Sequence, residues 1–283
     1  MKELEKDSLT WVERAWGLLF GGALGDAFGY PVEFWSRERI ETVYGPAGLR
    51  EPVPDGPSGR FLVSDDTQMT MFTIEGLVLA GPGEDGDISD ADRLQARRLA
   101  SIRLAYLDWL QTQGGGREAG LYRSPGIGVE DGAAADRSPG RLVHVAVMQY
   151  ARAPGSTCFA ALRSGGRGTP ELPPNHSKGC GGVMRVAPIG LLLDLSLGEA
   201  FELAARAAAL THGHPSGYLS AGLMAGIVRL LVDGATLREA LTEALPVLSR
   251  WEAHEETLRA ATMAVAAATR ESSTVVPESL GRG

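Results

Sequence analysis

Apolar residues recur at three- and four-residue intervals along most of the chain, and alternation with a period of two is absent, so the pattern predicts helices throughout. Thr10-Trp11-Val12-Glu13 has the form of a capping box and starts a helix at Trp11. That helix is expected to turn Val12, Ala15, Trp16, Leu19, Phe20 and Ala23 inward and to end at Pro31. Its other face carries Gly17, Gly21, Gly25 and Gly29, a bare ridge that costs helix stability unless another backbone packs on it. Met69, Phe72, Thr73, Gly76, Leu77 and Ala80 form a second stripe. A third begins near Ile88 with Ser89 as cap, buries Leu99, Ile102, Tyr106 and Trp109 or Leu110, and leaves Arg93, Arg97 and Arg98 solvated.

Farther on, the pattern predicts a short helix over 156–162, a glycine-rich turn opening a helix that continues from Val186 to Leu193, and helices over 199–210, 216–233, 237–248 and 251–268. The 216–233 helix presents Gly222 and Gly226 on a small-residue face. Tyr44–Gly59 is a turn-rich loop, and 114–141 is a long one, either filler or a lid. The class is all-α.

Composition narrows the partners. In 283 residues with 44% hydrophobic and 22% charged there is enough material for a sizeable core. A net charge of −8 argues against a general nucleic-acid surface. The two cysteines, Cys158 and Cys180, are read as free thiols, without metal-ligand spacing. No apolar run of membrane-spanning length stands out and the N-terminus lacks a cleavable apolar stretch, so the expectation is a soluble cytoplasmic protein without membrane association.

Candidate chemistry concentrates at Ser64-Asp65-Asp66-Thr67, four oxygen-bearing side chains at the head of the second stripe. A helix start welcomes carboxylates for capping alone. Two adjacent acids exceed what one cap needs, however, and a hard divalent cation such as Mg2+ would relieve their repulsion. Asp26 is either a buried hydrogen-bond acceptor or part of this polar site, and Glu33 is the first carboxylate free to enter a cleft. Gly179-Cys180-Gly181-Gly182 is either a phosphate cradle, with Lys178 and Arg185 as counter-charges, or a tight turn permitting helix contact. His212 and His214 occupy a helix–helix corner, where ligand contact, capping and metal binding compete.

Taken in order, Gly21-Gly22-Ala23-Leu24-Gly25-Asp26-Ala27 with Glu33, then Ser64-Asp65-Asp66-Thr67, Gly181-Gly182-Val183-Met184-Arg185 and Thr211-His212-Gly213-His214-Pro215-Ser216-Gly217 resemble the ADP-ribosylglycohydrolase family. That family includes the dinitrogenase reductase-activating glycohydrolases and the J1 crystallins. The resemblance implies a compact, orthogonally packed helical domain over 1–283 and a cleft with two Mg2+ ions. Ser64, Asp65 and Asp66 would bind metal, and Glu33, with Asp66, would serve catalysis. Gly181, Gly182, Arg185, His212 and His214 would contact substrate. The implied reaction is hydrolysis at ribose C1'' that frees ADP-ribose from a modified side chain, commonly arginine, on a protein or small ADP-ribosyl substrate.

The family's second metal half-site, Asp-x-Asp-Ser/Thr near its C-terminus, has no counterpart after Asp233. The sequence-based expectation is therefore a domain lacking its C-terminal part and half of its metal site. A non-catalytic ADP-ribose-binding or crystallin-like relative is the alternative.

Overall fold

A computed structural model of the chain describes residues 10–82, 89–114 and 140–268, which form helices and connecting turns with no strand among them. In chain order the helices are α1 (Trp11–Gly29), α2 (Arg37–Tyr44), α3 (Asp65–Ala80), α4 (Ser89–Thr112), α5 (Ser156–Arg163), α6 (Leu197–Ala209), α7 (Pro215–Val232), α8 (Leu237–Leu248) and α9 (Glu255–Ala268). Short 3-10 turns intervene, including Val183–Arg185 and Ala187–Leu191. Most of the predicted long loop, residues 115–139, lies outside the described residues.

Local signals act where they are read. Thr10 and Glu13 close the predicted capping box of α1, and Ser196–Glu199 and Thr236–Glu239 close two more at the starts of α6 and α8. Each box satisfies backbone N–H groups that a helix start leaves unpaired. The sequence pattern gave no warning of α2, which Ser36 caps from its side chain.

The core is built by α3 to α8. Alanines of α6, from Ala200 to Ala209, pack against Tyr218, Leu219, Ala221 and Ala225 of α7. Small residues let these two backbones approach closely: a Cβ on Gly222 would sit 2.5 Å from the Phe201 ring, and one on Gly226 would sit 2.9 Å from Leu197. The same device joins α3 to α4, because a Cβ on Gly76 would lie 2.6 Å from the Ile102 Cα. By length and composition α7 could also cross a membrane, contrary to the sequence reading, yet its buried face is core.

Three expectations fail. First, of the α1 residues expected inward only Ala15 is buried, joined by Ala27, and neither belongs to the core cluster; Val12, Trp16 and Phe20 are more than half exposed, as is Leu24. A Cβ placed on Gly17, Gly21, Gly25 or Gly29 meets nothing within 4 Å, so no backbone packs on the glycine ridge among the described residues. Second, Arg98 is buried and ion-paired with Asp194 at 2.6 Å rather than solvated. Third, residues 186–193 form no α-helix. Pro188 withholds an N–H there, and Gly190 presses so closely on α7 that an added Cβ would lie 2.7 Å from the Ala225 carbonyl oxygen.

Candidate active site

The cleft lies between the C-terminal half of α1 and the start of α3. It encloses about 720 Å3, and Asp26, Glu33, Ser64, Asp66, Thr67 and Thr70 bring their polar groups to it. Trp16, Leu19 and Phe20 form part of its apolar wall, and Cys180 and Met184 bring the glycine-rich turn to its edge.

Asp26 fixes the two walls together. Its carboxylate accepts hydrogen bonds from the N–H groups of Ser64, at 3.0 and 2.9 Å, and Thr67, at 3.1 Å, and from the Thr67 hydroxyl at 2.5 Å. An aspartate of α1 thus occupies the electropositive end of α3, where charge-assisted acceptance is strongest. Asp26 takes both of the roles left open for it: its carboxylate is the acceptor that ties the two walls together, and it also lines the cleft. Ser64 caps the same helix, its hydroxyl accepting from the Asp66 N–H at 3.1 Å.

Asp65 and Asp66 take different directions from this start. Asp65 is buried; it accepts from the Gly155 N–H at 3.0 Å, and its own N–H donates to the Arg152 carbonyl at 2.8 Å. The clasping segment includes Ala153 at φ 52°, a left-handed conformation that costs a non-glycine residue energy. Burial pushes the Asp65 carboxyl up to about 7, reinforced by Asp66 and Glu33 and opposed by the Gly155 bond. Asp66, on the cleft wall, is also raised, first by burial and then by Asp26, with the Ser64 hydroxyl pulling the other way. Glu33, exposed at the cleft mouth, is raised by partial burial, then by Asp66 and Asp26. The cleft therefore gathers carboxylates that burial raises first and neighbouring acids raise further.

The other predicted residues divide. Gly181 and Gly182 abut the core: a Cβ on Gly181 would come within 2.7 Å of the Cys158 sulfur and 2.9 Å of the His212 ring, and one on Gly182 within 2.9 Å of Ala208. The tight-turn reading accounts for both glycines, and the three-residue turn that follows is too short to present a helix dipole. Arg185 does not reach the cleft as a counter-charge. It is fully buried, with its guanidinium 4.2 Å from the Tyr106 ring centre and donating to Ala207 O at 3.2 Å and Thr211 Oγ1 at 2.7 Å. Lys178 is spent on Glu256 at 2.7 Å. His214 caps α7, its Nδ1 accepting from the Ser216 N–H at 3.1 Å. His212 is buried behind the glycine turn.

Sequence reasoning did not find the clasp on Asp65, because Arg152 and Gly155 bond through their backbones and carry no side-chain signature. It also did not find that Thr211 links Arg185 to His212. The Thr-His pair itself was the available signal.

Hard oxygens are the only ligands that Ser64, Asp66, Thr67 and Glu33 offer, which suits Mg2+ chemically. Among the described residues, however, no three His, Cys, Asp or Glu side chains converge closely enough to hold a metal ion by themselves. Water would have to complete the coordination, as Mg2+ ordinarily permits.

The model of the ADP-ribosylglycohydrolase family matches residues 7–283, and the chain belongs to that family. No curated protein and no solved structure matches it.

Proposed function

We propose that the protein is a Mg2+-dependent hydrolase that cleaves the bond at ribose C1'' between ADP-ribose and a modified side chain, with arginine as the preferred attachment. The observation that carries this reading is the convergence of carboxylates, Glu33 and Asp66 facing one cleft with Asp26 beside them and Asp65 just beneath. Asp66 and the Ser64 hydroxyl would hold Mg2+, with Asp65 and Glu33 adding negative charge. Bound there, the cation supplies charge stabilisation and orients ribose oxygens and water.

The remaining chemistry falls to the chain. Cleavage at C1'' develops an oxocarbenium-like ribose, which a wall of carboxylates favours electrostatically. Glu33 is exposed enough to exchange protons with a bound water, and its raised carboxyl retains a proton to higher pH than an ordinary glutamate, as a general acid or base requires. Asp26 keeps the start of α3 in place, so that Asp66 meets Glu33 across the cleft.

The lack of a three-residue metal cluster among the described residues favours a second reading, ADP-ribose binding without turnover. One assay separates them: ADP-ribose release from an ADP-ribosyl-arginine substrate, with Mg2+ or with chelator. Hydrolysis predicts release that needs Mg2+ and is lost in Asp66→Asn and Glu33→Gln. Retained affinity for ADP-ribose without any release would establish the binding module instead.

A further inference from the structure

The outer face of α1 has a regularity that nothing else in the described chain uses. Val12, Trp16, Phe20 and Leu24 recur every fourth residue and are 53, 55, 60 and 69% exposed. Gly17, Gly21, Gly25 and Gly29 recur at the same interval beside them, and a Cβ on any of the four meets nothing within 4 Å. The helix thus carries a row of large knobs next to a row of vacant holes, both at the four-residue spacing on which helices interlock. The Trp16 and Phe20 rings already stack, with centroids 5.1 Å apart, which lowers the ordering cost of docking them. No charged residue interrupts positions 15–25.

What fits this face is the same face run backwards. Where two copies of one helix pack antiparallel about a two-fold axis, residue i meets j and j meets i, so the residue numbers at every level have a constant sum. With the axis between Phe20 and Gly21, Phe20 falls opposite the partner's Gly21, Trp16 opposite the partner's Gly25, Leu24 opposite the partner's Gly17 and Val12 opposite the partner's Gly29. A single register therefore sets every knob against a hole. One residue lower, Phe20 would face Phe20 and Trp16 would face Leu24; one higher, Gly21 would face Gly21 and Trp16 would face Asp26. The charges also fit, because Glu13 falls opposite Phe28, Arg14 opposite Ala27 and Asp26 opposite Ala15, so no like charges oppose. The exposed parts of the four knobs amount to roughly 450 Å2 per copy, and with the glycine backbones they cover, a two-copy contact reaches about 1,000 Å2, where specific interfaces begin.

We infer that α1 is a self-complementary docking surface whose occupant is the α1 of a second copy of this chain, packed antiparallel about a two-fold axis between Phe20 and Gly21. The partner's Trp16 and the partner's Val12 then come to Gly25 and Gly29, which flank Asp26 in the cleft lining, so each copy helps to wall the cleft of the other. The contact does not depend on the reaction proposed above.

Sedimentation velocity of the full chain at micromolar concentrations tests the contact. The unsubstituted protein is expected to be a dimer. Phe20→Glu, which sets two like charges beside the axis, is expected to weaken association about a hundredfold while far-ultraviolet circular dichroism stays that of the parent. Register is read by disulfide trapping in a Cys180→Ser background, since Cys180 is exposed and Cys158 is buried. A mixture of Trp16→Cys and Gly25→Cys chains should cross-link on oxidation about tenfold faster than a mixture of Trp16→Cys and Gly17→Cys, whose positions lie about 12 Å apart along the helices in this register. A monomeric unsubstituted protein overturns the inference, whether α1 is then covered by residues 269–283 of the same chain, by a lipid surface or by a different protein. A dimer that Phe20→Glu leaves equally tight, or equal trapping in the two mixtures, overturns the antiparallel α1 contact.

Discussion

Glycine and alanine recur at helical spacing in both α1 and α7, yet the two helices live in opposite surroundings. On α7, Gly222 and Gly226 are filled in by Phe201 and Leu197, and the α6–α7 pair is the centre of the core. On α1, four glycines face open space and the large apolar side chains beside them stay exposed. Spacing of small residues therefore specifies that a close approach is permitted, and only a partner turns permission into packing. The region that carries the cleft is also the less consolidated of the two.

The sharpest way to break this contrast is to add one methyl group to each region. In the tight half, Gly190→Ala drives a Cβ toward the Ala225 carbonyl and the Val228 side chain, and should cost about 3 kcal/mol in denaturant unfolding. Next in size is Asp26→Ala, which strips one carboxylate from three donors at the start of α3 and should cost about 2–3 kcal/mol. That loss should come with weaker Mg2+-dependent turnover, since the two cleft walls are no longer joined.

Asp65 offers a pH test. Its folded carboxyl is raised to about 7 from an ordinary 3.8, so the folded state holds this proton more tightly than the unfolded state does. The associated stability is complete below about pH 4 and is lost as pH rises toward 7. Without metal, Asp65→Asn should flatten this slope, leaving the variant more stable than its parent above pH 7 by something on the order of 2 kcal/mol after solvent screening. Thermal melts at pH 5 and 8 read the difference; parallel slopes in the two proteins would remove Asp65 from the account. The smallest effect is expected in the open half. Gly17→Ala meets nothing within 4 Å and should stabilise the protein by about 0.5–1 kcal/mol through helix propensity.

What could be read in the sequence follows the same division. Helices whose stripes have partners, such as Met69–Phe72–Thr73 and Ile102–Tyr106–Trp109, were legible because burial imposes the period. Capping boxes were legible because their chemistry is local. The exposed face of α1 was not, since the stripe on that helix is the same whether or not anything covers it. Arg185 was misplaced because a lone cation in a motif reads as a ligand contact, whereas its burial depends on Tyr106, Ala207 and Thr211 from distant parts of the chain. Among the acidic residues, the sequence could group Ser64, Asp65 and Asp66, but it could not say that one carboxylate faces a loop and the other the cleft.

The attachment of α1 has a further consequence. At one end Trp11 donates its indole N–H to Leu191 O at 2.9 Å, and Arg14 donates to Leu231 O at 2.8 Å. At the other end Asp26 receives the start of α3, and between these moorings no side chain joins the core cluster. Such a helix can detach as a unit while α6 and α7 remain intact, because none of its side chains belongs to the core cluster. Its amide hydrogens should accordingly exchange with solvent through a partial opening rather than through global unfolding. The cleft would then be taken apart and rebuilt many times over the life of a single folded molecule.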